Sequence, residues 1–75
     1  MTQSREELER ALLADPFNGE VRAEYAALLL SQGDAQAALA QYDIVLKQLP
    51  AHAPSYVGRA RALLALGRDG DALQC

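Results

Sequence analysis

The chain has 75 residues, 51% of them hydrophobic and only 5% aromatic, and carries a net charge of −3. That length makes one small domain, which buries only about 60% of its unfolded surface, and the abundance of Ala and Leu suits closely packed helices rather than a sheet. The acidic balance argues against nucleic acid, which wants a basic face, and against an anionic membrane surface. No apolar run approaches the roughly 20 residues of a membrane span, and the opening MTQSREELER lacks the apolar core of a signal peptide. The single cysteine, Cys75, excludes an internal disulfide framework and suits a reducing compartment, so a cytoplasmic protein is expected.

In chain order, Ser4-Arg5-Glu6-Glu7 is a capping-box pattern that starts a helix. Leu8, Ala11, Leu12 and Leu13 make its apolar stripe, Glu6 can pair with Arg10 at i+4, and Asp15-Pro16 ends it. Asn18 is the expected N-cap of a second helix over 19–32, with Val21, Tyr25, Ala26, Leu28 and Leu29 inward and Ala23, Ala27 and Leu30 on the flank. Gly33 stops that helix as a C-terminal glycine able to take positive φ. Asp34 then caps a third, burying Ala38, Leu39, Tyr42, Val45, Leu46 and Leu49. After the connector 50–54, Pro54 suits the first turn of a fourth helix, with Tyr56, Val57, Ala60, Leu63 and Leu64 expected inward and Gly67 closing it. Asp69 is expected to cap a fifth helix over 70–75, cut mid-helix, so that the chain reads as the amino-terminal piece of a longer protein. Connectors of two to five residues make neighbouring helices antiparallel hairpins.

Superimposed on this pattern is a period of 34 residues. It pairs Pro16 with Pro50, Gly33 with Gly67, Ala26 with Ala60, Leu29 with Leu63, and Ala38-Leu39 with Ala72-Leu73. Pro and Gly recur where helices must end, and self-similarity at fixed spacing marks a stacked-repeat architecture.

The arrangement resembles the tetratricopeptide repeat family, through Tyr25-Ala26, Leu29, Ala38, Tyr42, Val45 and Pro50 in a complete unit at 19–52. A truncated unit at 53–75 matches with Tyr56, Ala60, Leu63, Gly67 and Ala72, and residues 4–16 are in register as the second helix of a preceding unit. The resemblance implies an all-α fold of antiparallel helix-turn-helix hairpins stacked as a right-handed superhelix. The small Ala26, Ala38 and Ala60 would sit where helices cross closely, with Tyr42 and Tyr56 filling gaps between hairpins. Arg22 and Arg59 depart from the pattern, standing where the family has bulky apolar residues.

Such repeats bind proteins on a concave face lined by the first helix of each unit. Carried onto this chain, that face comprises Glu20, Ala23, Glu24, Ala27, Leu30, Ser31, Val57, Arg61 and Leu64, with Pro54, Gly58 and Ala65 beside them. The implied partner is a peptide or helix of another protein. Of the positions used by the family's carboxylate clamp only Arg61 could serve, so that activity is not expected. Because both ends of the short stack lack a polar capping helix, a homodimer is the alternative, with Leu63, Leu66 and Leu73 as the candidates for contact.

No catalytic, metal or cofactor site is expected. His52 is the sole histidine, and a second ligand is missing nearby. The acidic pairs Glu6-Glu7 and Asp69-Asp71 fall in first turns of helices, where negative charge favours the macrodipole. No phosphate loop or nucleophile elbow occurs, and an enzyme is not expected.

Overall fold

The computed structural model describes residues 4–74, with side chains from Ser4 to Gly67. The described residues form four helices and no strand: α1 (Arg5–Ala14), α2 (Gly19–Ser31), α3 (Ala35–Gln48) and α4 (Ala53–Gln74). Each packs on its predecessor, and α2 also touches α4.

The caps lie where side-chain chemistry demands. Ser4 Oγ accepts from the Glu7 amide at 3.2 Å and donates to the Glu7 carboxylate at 3.2 Å. Asn18 Oδ1 accepts from Val21 N–H at 3.2 Å, and Asp34 Oδ1 from Ala37 N–H at 3.3 Å. Each side chain satisfies an amide that the first helical turn leaves without a backbone acceptor.

Between α2 and α3, Gly33 adopts φ 85°. Its N–H reaches Leu30 O at 3.0 Å while Asp34 N–H reaches Leu29 O at 2.9 Å. This is the double closure of a Schellman turn. Asp34 both completes that turn and caps the next helix, so the reversal takes three residues.

The corresponding turn at Gly67 does not form. Instead of closing there and handing over to a fifth helix, α4 continues through Gly67 to Gln74. Gly67 has no positive φ, and the residue after it is Arg68, which offers no acceptor to cap a new helix. Without a cap directly behind the glycine, continuing the α-helical hydrogen bonds is the lower-energy course. The side chains of Asp69, Ala72 and Leu73, and the whole of Cys75, lie outside what the structure describes.

The core sits between α2 and α3, where Ala26, Leu29, Ala38 and Tyr42 pack together. Leu8 and Leu12 are buried from α1, and Ala35 and Val45 add to the buried face of α3. Leu13, expected in the α1 stripe, is 84% exposed. It follows Leu12 by one residue, a step of about 100° around the helix that carries it off the contact face. The expected Glu6–Arg10 pair is replaced by Arg5–Glu9 at 3.2 Å, because Glu9 is drawn to the hydroxyl of Tyr25 on α2.

The largest correction concerns α4. Tyr56, Val57, Ala60, Leu63 and Leu64 were expected inward, yet all are exposed. The buried positions are Ser55, Gly58 and Ala62. Size decides this. Tyr42, only 4% exposed, fills the space between α3 and α4, and a Cβ at Gly58 would land on its ring. Only the small-residue side of α4 fits against so large a knob, so helix contact follows steric fit rather than hydrophobicity. Tyr56 fills no gap; its hydroxyl donates to Pro50 O at 2.7 Å on the surface.

Both arginines that depart from the repeat pattern find polar anchors. Arg22 donates to Gln41 Oε1 at 2.7 Å and to Pro16 O at 3.0 Å, bracing α2 against α3 and the α1–α2 turn. Arg59 pairs with Asp43 at 2.6 Å, joining α4 to α3.

Candidate functional site

Alongside the small-residue contact between α3 and α4, α2 and α4 diverge enough to leave a groove of about 810 Å³. Ala23, Glu24, Ala27, Leu30 and Ser31 of α2 form one wall, and Pro54, Val57, Gly58 and Arg61 form the other. Tyr42 makes the floor, with His52 at one end. Seven of the nine residues assigned to the concave face from sequence therefore line it. Glu20 and Leu64 do not: Glu20 is exposed in the first turn of α2, and Leu64 is 64% exposed away from the groove. Ala65 also lies outside it.

The walls follow from helical spacing. Ala23, Ala27 and Leu30 recur at i, i+4 and i+7, as do Pro54, Val57 and Arg61 at i, i+3 and i+7, so each set shares one face of its helix. Alanines and a glycine keep the walls low, which leaves the site an open, mostly apolar depression.

Two opposite charges flank the depression. Among the described residues neither Glu24 on α2 nor Arg61 on α4 lies within ion-pair distance of a partner; the ion pairs there are Arg5–Glu9 and Arg59–Asp43. Burial pushes the Tyr42 phenol above its ordinary value of 10.0, and the Arg61 charge partly offsets that rise. Among the described residues its hydroxyl has no hydrogen-bond partner in the protein, so a neutral donor faces the groove floor.

Tyr42 and His52 are the groove residues that the sequence reading missed. The repeat resemblance places Tyr42 between hairpins; the signal for its second role is Gly58, which lacks the Cβ that would meet its ring. By sequence His52 is an isolated connector histidine. Its Nδ1 lies 2.7 Å from Ser55 Oγ, and the i, i+3 spacing of His52 and Ser55 at a helix start was the available sign. Ser55 is fully buried, which withholds its hydroxyl from any bound molecule; the contact serves the first turn of α4.

A second polar locus lies away from the groove. Tyr25 donates to Glu9 Oε2 at 2.7 Å and Arg5 donates to the same oxygen at 3.2 Å. The Tyr25 hydrogen bond, then that of Arg5, holds the Glu9 carboxyl below its ordinary value. The same bond to Glu9, with burial, holds the Tyr25 phenol high. The arrangement is that of a helix-to-helix strut joining α1 to α2.

Of the self-association candidates, Leu63 is 43% exposed and Leu66 is half-buried; Leu73 falls outside the described side chains. Among the described residues no helix is long and apolar enough to cross a membrane, and no three His, Cys, Asp or Glu side chains gather as a metal cage.

Comparison with protein-family models, curated proteins and solved structures found no match.

Proposed function

We propose that this chain is a non-enzymatic protein-interaction module whose helices stack in the manner of tetratricopeptide repeats and whose α2–α4 groove takes a peptide or helix of a partner protein. The observation that carries it is the convergence of Ala23, Ala27, Leu30, Val57 and Arg61, which the repeat resemblance assigns to a concave face, on one apolar groove. Small floors flanked by a few charges are the usual setting for a helix laid in a groove. The lone cysteine suits work in a reducing cytoplasm.

A library of synthetic helical peptides, read by backbone amide shifts, tests this. Ligands should perturb Ala23, Ala27, Val57 and Gly58 together. Ala27→Arg should weaken them more than tenfold while the melting temperature holds, since Ala27 is exposed. Ligands that map to the outer side of α3, or ignore Ala27→Arg, would refute the assignment.

Self-association is the second reading, favoured by the uncovered α4 side, where Tyr56, Leu63 and Leu64 are 52%, 43% and 64% exposed. On that reading Leu63→Ser yields a monomer.

A further inference from the structure

The two most exposed large apolar side chains of the described residues are Leu13 and Phe17, at 84% and 83%. Leu13 shares an outer stripe of α1 with Glu6 and Arg10, spaced i, i+4 and i+7, and Phe17 is exposed in the turn that follows. Among the described residues Glu6 and Arg10 are exposed and have no ion-pair partner; the ion pair within α1 is Arg5–Glu9. The outer side of α1 therefore offers an anion, a cation and a bare apolar group in line, with no other helix over them among the described residues.

The groove is the complement of that stripe. It offers a cation in Arg61, an anion in Glu24 and apolar walls in Ala23, Ala27 and Val57. A ten-residue helix such as α1 is about 15 Å long, shorter than the 13-residue α2 wall. Alanines at the contact also allow helix axes to approach to about 8 Å.

We propose that the groove is occupied by α1 of a second copy of this chain. A helix crossing the groove obliquely sets Arg10 against Glu24 and Glu6 against Arg61, and brings Leu13, one turn beyond Arg10, against the alanines of α2. Matched charges fix its direction, because the reverse orientation opposes like charges. The contact joins two different surfaces, so copies lend α1 to each other about a two-fold axis or add head to tail. The inference rests on the groove being a binding site and names its occupant.

Sedimentation equilibrium from low micromolar to millimolar protein, with reductant present to remove any Cys75 cross-link, is the test. The wild type should associate. Leu13→Ser should weaken association, at unchanged melting temperature because Leu13 packs on nothing. Glu24→Arg and Arg10→Glu should each weaken it about tenfold, by replacing an attraction with a repulsion. The double variant should restore it, since the pair returns with its signs exchanged.

A wild type that stays monomeric throughout overturns the proposal, as does association that ignores Leu13→Ser and both charge reversals. Association lost with Leu63→Ser alone assigns the contact to the uncovered side of α4 and overturns it too. In each of these cases the library peptides still decide separately whether the groove binds anything, so the failure of the occupant and the failure of the site are distinguishable.

Discussion

Gly58→Ala is the sharpest test of how α4 sits. A Cβ at that position would fall on the Tyr42 ring, which is only 4% exposed and held between helices. A flexible side chain would yield; a buried aromatic ring has no free rotamer to yield into. Overpacking of this kind costs about 1–3 kcal/mol, against which alanine recovers about 1 kcal/mol of helix propensity over glycine. The net effect is a loss of up to about 2 kcal/mol, or up to roughly 15 °C in melting temperature for a domain of this size. Circular dichroism melts and urea titrations read it directly. Gly67→Ala is the internal control: it lies in the same helix with nothing within 4 Å of the added methyl, and should stabilise by about 1 kcal/mol. Tyr42→Leu shrinks the knob, so the Gly58→Ala/Tyr42→Leu double variant should lose less than the sum of the singles, with a coupling of about 1 kcal/mol. A Gly58→Ala variant stabilised as much as Gly67→Ala, or strictly additive with Tyr42→Leu, would show that the ring does not rest on this glycine.

Two further expectations follow from the same packing. Ala62 is fully buried while Ala60 is exposed; Ala62→Gln should therefore cost about 3 kcal/mol, for an overpacked and desolvated amide, and Ala60→Gln less than about 0.5 kcal/mol, with equal losses counting against the orientation of α4. Glu9 is held below its ordinary value of 4.5 first by Tyr25, so its contribution to stability is present above that value and is lost as pH falls through the lower folded one; Tyr25→Phe should bring the Glu9 carboxyl resonance back toward 4.5 in an NMR titration and flatten the acid limb of the stability curve, and an unmoved Glu9 titration would remove the strut.

Sequence alone determined the all-helical character, three of the helix starts and the Gly33 reversal, because these are local matters. Ser4, Asn18 and Asp34 cap through their own short side chains, and Gly33 takes its positive φ with the next residue ready to act as cap. The groove walls were legible too, since Ala23, Ala27 and Leu30 share a face by spacing alone. What tertiary structure decided was the rotation of α4 and its passage through Gly67. Hydrophobicity pointed Tyr56, Leu63 and Leu64 inward, but the bulk of Tyr42, a residue on another helix, admits only Ser55, Gly58 and Ala62. That same ring became the groove floor, beside a histidine held at the start of α4 by a buried serine. Periodicity reports which residues share a face; the volume already taken by a neighbouring helix selects the face that is buried.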